Sequence, residues 1–153
     1  MISCGMAAAV IIAIAGGGSL LYQSIVLLVP ERWAPIRLHA TAGKIAARVN
    51  RSQRVLTLGP LYALEAGAGI YPELSCGDII YRVADALSAE ERRLTHTVGP
   101  AGLSALTTEA PPAAILVGIP TTLPALEQPL RQVVPAGWPR IDCGDGLELY
   151  VRP

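Results

Sequence analysis

The chain has 153 residues, of which 52% are hydrophobic and only 16% are charged, and its formal net charge is zero. Residues 1–30 carry no charge, residues 31–54 carry six basic residues against one acidic residue, and the remainder carries six arginines against eleven acidic residues. A nucleic-acid-binding domain normally carries its positive charge over its folded part, so this distribution excludes nucleic acid as the expected partner. The length suits one domain with its own core and an appendage.

The cysteines and histidines do not predict a metal site. Three cysteines (Cys4, Cys76 and Cys143) and two histidines (His39 and His96) lie far apart, without CxxC or Cys/His ligand spacing. We therefore expect neither a metal nor a cofactor. Cys76 and Cys143 either pair in an oxidising compartment or remain two buried thiols.

The apolar start of the chain predicts a transmembrane helix over residues 1–30. Residues 6–29 contain no charge and exceed the roughly 20 residues that a helix needs to cross a bilayer. A signal peptide with a cleavage site near Ala13–Ala15 is an alternative, but the positively charged start of such peptides is absent, and a buried helix is a third possibility. The predicted partner is therefore the lipid bilayer, and the predicted location is the inner membrane.

Residues 31–53 predict a basic, amphipathic linker at the membrane surface. Trp33 stands where interfacial tryptophans lie, and Arg32 and Arg37 are placed to contact phosphate headgroups. A solvated basic linker is the alternative interpretation. Positive residues directly after one spanning helix indicate that the following domain is cytoplasmic.

Residues 54–153 predict a small α/β domain. Short buried strands are expected at 55–58, 70–71, 95–98 and 113–118, and helices at 61–66, 78–87, 101–109 and 123–134. Ser88 and Glu91 form a capping-box pattern that opens a further helix, and residues 141–151 predict a hairpin turning at 144–146. Alternating strands and helices favour a three-layer, mostly parallel sheet that ends in this β-hairpin.

The glycines near the first strand do not form a nucleotide loop. Such a loop needs several glycines directly after the strand, whereas this turn is Gly59-Pro60-Leu61. Gly67 and Gly69 come after the helix, where glycine usually ends a helix, and no Walker lysine follows either turn. The sequence therefore predicts no nucleotide.

Several polar side chains are expected near the carboxyl ends of the first two strands, and no nucleophile with a nearby histidine accompanies them. We consider that they line one binding pocket or, alternatively, that they form an ordinary solvated rim. The residues in question are Tyr62, Glu65, Tyr71, Glu73, Asp78 and Arg82.

Several blocks of sequence resemble a known family. From about Val29 the chain reads VPERWAPIRLHATAGKIAARV, then RVLTLGPLYALEAGAGIYPEL, DIIYRVADAL and PPAAILVG, and finally ELYVRP. These blocks are similar to the C-terminal end of bacterial polytopic glycosyltransferases of the GT-C type, which resemble protein mannosyltransferases and use a polyprenyl-phosphate sugar.

This resemblance implies a non-catalytic role. In the family the catalytic acid lies in an early loop outside the cytoplasm, and this chain has no counterpart, so no catalytic residue is carried over. The resemblance implies a membrane-anchored, periplasmic C-terminal domain, a fragment without activity of its own, whose partner is the remaining transmembrane part of the transferase. The periplasmic location conflicts with the charge distribution described above. The alternative functions are a membrane-anchored binding or scaffold module and a soluble enzyme with a cleaved signal.

Overall fold

The computed structural model describes residues 29–30 and 33–153 of the chain. Within them, short 3₁₀ turns lie at Pro72–Leu74, Ala84–Ala86 and Pro100–Gly102. The helices are α1 (Ala34–Ala46), α2 (Pro60–Glu65), α3 (Asp78–Tyr81), α4 (Ala89–Thr95), α5 (Leu103–Glu109) and α6 (Pro124–Gln132). The strands are β1 (Arg54–Leu56), β2 (Gly69–Ile70), β3 (Ala114–Val117), β4 (Arg140–Gly144) and β5 (Leu147–Val151).

The five strands form one mixed sheet in the order β2-β1-β3-β5-β4. β1 pairs in parallel with both β2 and β3, whereas β5 runs antiparallel to β3 and to β4. The terminal hairpin therefore adds two antiparallel strands beside the three parallel ones. The expectation of a mostly parallel sheet is corrected to a mixed one, because the hairpin inserts β5 next to the central strand.

Helices cover both faces of the sheet because the strands alternate their buried side chains between the two faces. On one face, Ala114 and Leu116 of β3 pack in a cluster with Ile45 of α1 and Ala63 of α2. On the other face, a second cluster contains buried side chains from the β3 strand and from the turns and helices that pack on it. Its largest members are Leu56, Tyr71, Tyr81, Leu103, Ile115 and Leu130.

The predicted N-terminal transmembrane helix over residues 1–30 is not supported. Among residues 29–30 and 33–153, no helix is both long and apolar enough to cross a membrane. Helix α1 has 13 residues, which is about 20 Å at the α-helical rise, against a hydrocarbon core of about 30 Å. Residues 1–28 of the predicted helix lie outside the described residues. The fold class is therefore an α/β domain with a five-stranded mixed sheet and six α-helices in the described part.

Residues Leu38–Pro153 form one compact unit, and Met1–Arg37 belong to another. Much of the segment assigned from the sequence to a linker, residues 31–53, thus lies in the same unit as the sheet. Ile45 and Val49 are buried in the core cluster with Val55, at 0% and 3% exposure. The apolar residues Ile45 and Val49 of this segment therefore pack against the sheet.

Candidate functional site

The sheet has a topological switch point between β1 and β3. The chain leaves β1 to form β2 on one side and later returns to form β3 on the other side. In open α/β sheets the carboxyl ends of such strands usually border the ligand-binding crevice. The segments that follow the two strands here are Thr57–Gly59 and Gly118–Ile119.

The carboxylate of Glu127 occupies the end of β3. Its Oε2 accepts the backbone N–H of Gly118 at 2.7 Å, and its Oε1 accepts the N–H of Ile119 at 2.8 Å. Glu127 is only 3% exposed, and the nearest guanidinium, that of Arg131, is 3.9 Å from Oε2. Two successive amides are a common anion-binding device. Here they bind the protein's own carboxylate.

The end of β1 is closed in a similar way. The backbone N–H of Gly59 donates to the hydroxyl of Thr57 at 3.0 Å, and Thr57 is 2% exposed. A Cβ atom at Gly59 would lie 2.7 Å from the side chain of Ile119, so the two strand ends are in close contact. At the switch point, side chains of the protein itself accept the hydrogen bonds of the backbone N–H groups of Gly59, Gly118 and Ile119.

The six residues predicted to share a pocket are divided between two faces of the sheet. Tyr62 packs against the cluster that contains Ile45, whereas Tyr71 belongs to the cluster on the opposite face. Glu65 is exposed on α2, and its carboxylate lies 2.8 Å from Nδ1 of His39. The structure therefore brings Tyr62 and Glu65 onto one helix and separates them from Tyr71.

On the opposite face, Tyr71 is 1% exposed and its hydroxyl donates to the carbonyl of Ala110. Burial raises the pKa of Tyr71. Glu73, two residues later, is half-buried, and its Oε2 is enclosed without a hydrogen-bond partner among the described residues. Asp78 and Arg82 form an ion pair at 3.0 Å along α3, so they stabilise that short helix.

The residues predicted at the membrane interface are described only in part. Arg32 lies outside the described residues. Trp33 is 44% exposed, and its carbonyl accepts the backbone N–H of Arg37 at 3.0 Å in the first turn of α1. Their contact with lipid headgroups stays a prediction.

A pocket of about 450 Å³ lies beside the start of α5, lined by Asp85, Arg92 and Thr97 among others. Its charged side chains already form hydrogen bonds with backbone groups. Arg92 donates to the carbonyl of Leu87 at 2.8 Å, and Asp85 accepts the N–H of Ala101 at 3.0 Å. These contacts fix the loops around the pocket.

A second pocket, of about 310 Å³, lies at the amino ends of β1 and β3, with Arg54 and Arg152 in its wall. Both arginines are exposed, and they come from opposite ends of the domain sequence. Sequence patterns did not indicate this pair, because no local motif connects the two positions. Glu127 was missed for the same reason, since its role depends on how α6 packs on β3.

Comparisons with protein families, with characterised proteins and with solved structures give no match for this chain.

Proposed function

We propose that this α/β domain is a non-catalytic partner of a polyprenyl-phosphate-sugar-dependent glycosyltransferase of the GT-C type. The resemblance of its sequence blocks to the C-terminal end of such enzymes supports the choice of family. The LGPLYALEAGAGIYPEL block, which is among the most specific of them, forms one continuous unit from the end of β1 through α2 and β2 to the turn at Pro72–Leu74. Its partner is the membrane-embedded part of the transferase.

The single observation that supports the non-catalytic role is the carboxylate of Glu127 at the switch point. In an α/β enzyme this edge would present free amides and reactive side chains to a substrate. Here the amides of Gly118 and Ile119 are bound by Glu127, and Thr57 binds the amide of Gly59. Sugar transfer from a lipid phosphate also needs an acid or base beside a membrane cavity, which the transferase partner would supply.

The test combines an assay with a binding experiment on the full-length chain. Purified chain is incubated with a polyprenyl-phosphate sugar and a peptide acceptor, and we expect no transfer. Co-expressed with a polytopic transferase encoded beside it, the chain should co-purify with that enzyme in detergent. Transfer by the chain alone would overturn the non-catalytic role, and co-purification only with proteins that transfer no sugar would overturn the assignment to a transferase.

The second candidate is a binding module unrelated to sugar transfer. The pocket lined by Arg54 and Arg152 favours it, because residues of this chain alone line that pocket. The neighbouring gene discriminates between the two functions. A run of hydrophobic segments encoded directly upstream supports the transferase, and a neighbour without such segments supports the module.

A further inference from the structure

The pocket at the amino ends of β1 and β3 has two cationic side chains in its wall. Arg54 begins β1 and Arg152 follows β5, and Ser52, Gln53 and Pro111 line the space between them, which measures about 310 Å³. The antiparallel pairing of β5 with β3 brings Arg152 to this edge, since the end of β5 lies beside the start of β3. A volume of this size accommodates a small phosphorylated molecule or headgroup.

The side chain of Arg152 is held in place by backbone carbonyls. Its Nη2 donates to the carbonyl of Pro111 at 2.9 Å and to that of Pro112 at 2.6 Å, and its backbone N–H donates to Ala113 at 2.9 Å. An arginine has five N–H donors, so the Nε and Nη1 donors remain available. The guanidinium is therefore ordered before any ligand binds.

Arg54 is positioned by an aromatic ring. Its guanidinium carbon lies 5.7 Å from the ring centroid of Tyr71, within the range of a cation–π contact. The hydroxyl of Tyr71 is in turn bound to the carbonyl of Ala110, which fixes the ring. No side-chain hydrogen bond joins Arg54 to another residue in the part of the chain that the structure describes, so its donors are available.

Neither arginine has a carboxylate partner within the described residues, in contrast to Arg82, Arg93 and Arg131, which all form ion pairs. Both arginines line the same pocket. Burial is the main cause that raises the pKa of Tyr71, whereas the charges of Arg54 and Arg152 lower it and that of Glu73 raises it. Two positive charges in the wall of one pocket repel each other. An anion between them would offset this repulsion and would use donors that are already ordered.

We propose that this pocket binds a phosphate group through Arg54 and Arg152, carried by a small soluble phosphomonoester or by a phospholipid headgroup. Arginine is suited to this role because its planar fork matches the oxygens of phosphate. The inference goes beyond the proposed function and does not depend on it, since it is argued only from residues of this chain that line the pocket.

The first experiment titrates inorganic phosphate into the full-length chain by calorimetry at constant ionic strength, with chloride as the balancing anion. We expect saturable binding that weakens at least about tenfold in Arg54→Gln, because a charge-assisted pair is lost. Arg54→Gln should still fold, since the side chain makes no hydrogen bond to the rest of the domain, and circular dichroism checks this. Arg152→Lys keeps the positive charge but loses the planar guanidinium, so it should also weaken binding. Arg93→Gln, an exposed arginine on α4, should bind as the unmodified chain does.

The second experiment identifies the source of the phosphate. Full-length chain is mixed with phosphatidylcholine vesicles that contain or lack phosphatidic acid, and bound protein is sedimented. Binding that depends on phosphatidic acid, and that is lost in Arg54→Gln but kept in Arg93→Gln, would indicate a lipid headgroup. Saturable binding of inorganic phosphate without this lipid dependence would indicate a soluble ligand. Absence of binding to both probes, or equal binding by Arg54→Gln and the unmodified chain, would overturn the proposal.

Discussion

The carboxylate of Glu127 accepts the backbone N–H of Gly118 at 2.7 Å, and so ties helix α6 to the end of the central strand β3. The contact is local in sequence, since Glu127 follows Gly118 by only nine residues. It explains how a carboxylate with 3% exposure is tolerated: both of its oxygens accept backbone donors, and Arg131 lies nearby.

We predict that Glu127→Ala destabilises the domain by about 2–4 kcal/mol, because one buried and one part-buried amide lose their partner and no side chain replaces it. The free energy of unfolding, measured by urea denaturation and circular dichroism, checks this. Gln128→Ala, at an exposed position on the same helix, is the matched control and should change the stability by less than about 0.5 kcal/mol. Equal effects of the two substitutions would show that the Glu127 contacts contribute little.

Gly118 provides a second prediction, because it has a left-handed conformation with φ of 84° and lies against the backbone of the hairpin turn. A Cβ atom there would be 2.0 Å from the carbonyl oxygen of Gly146, so Gly118→Ala requires the backbone to shift. We expect a loss of at least about 3 kcal/mol or failure to fold. Gly137→Ala is the control, since Gly137 has φ of 90° but no atom within 4 Å of the added carbon. Its cost should be only the conformational one, about 1–2 kcal/mol. Similar melting temperatures for the two variants would contradict the close contact.

Much of the α/β architecture could be predicted from local patterns. The apolar run near Ile115 forms strand β3, the hairpin turns at residues 145–146, and Ser88 and Glu91 form the capping box with both hydrogen bonds. These features are local, because each depends on the preferences of a few neighbouring residues. The predicted strand at 95–98 is wrong: α4 continues to Thr95, whose hydroxyl donates to the carbonyl of Glu91.

The remaining features depend on contacts that sequence patterns do not encode. The apolar side of helix α1 could face either a membrane surface or a sheet. Only the packing of Ile45 in the core distinguishes the two. Likewise, Tyr62 and Tyr71 are close in sequence, but β2 lies between them and they pack on opposite faces of the sheet. The pair of Arg54 and Arg152 forms only because β5 lies next to β3. Which residues meet is decided here by the strand order, which local sequence patterns do not encode.

The two buried tyrosines on one face give opposite predictions when their hydroxyls are removed. The hydroxyl of Tyr81 is buried without a hydrogen-bond partner among the described residues, whereas that of Tyr71 donates to Ala110. Tyr81→Phe should therefore be neutral or stabilise the domain by up to about 1 kcal/mol, and Tyr71→Phe should destabilise it by about 1 kcal/mol. Urea denaturation at neutral pH measures both. Destabilisation by Tyr81→Phe would indicate that its hydroxyl does have a partner.

Tyr81 also predicts the behaviour of the domain in alkali. Burial, assisted by the charge of Asp85, raises the pKa of Tyr81 from 10.0 to about 12. Between these two pH values the folded state binds more protons than the unfolded state. The contribution of Tyr81 to the free energy of unfolding is therefore fully present below pH 10 and is lost as the pH rises towards 12. Tyr81→Phe should reduce this loss, and denaturation curves at pH 9 and pH 11 measure the difference. An unchanged pH dependence would contradict the assignment of the loss to Tyr81.

Glu148 predicts the response to acid, because it accepts hydrogen bonds from two arginines on the face of the sheet near α6. Its carboxylate lies 2.6 Å from Arg131 and 2.8 Å from Arg140, and the hydrogen bond with Arg131 is the main cause that lowers its pKa below 4.5. The folded state thus binds fewer protons than the unfolded state below pH 4.5. The resulting stability is present above that pH and is lost as the pH falls through the lowered pKa.

Glu148→Gln should therefore cost about 1 kcal/mol at pH 7 and less at pH 2.5, because the contribution of the charged carboxylate is lost as the pH falls. The expected cost is small because the two arginine side chains are 38% and 61% exposed and solvent screens the pairs. Glu90→Gln is the matched control, since its partner Arg93 is 70% exposed and the pair lies in water on α4; it should leave the stability at pH 7 unchanged. A Glu148→Gln effect that is equally large at both pH values would mean that the side chain acts through packing, and not through its charge.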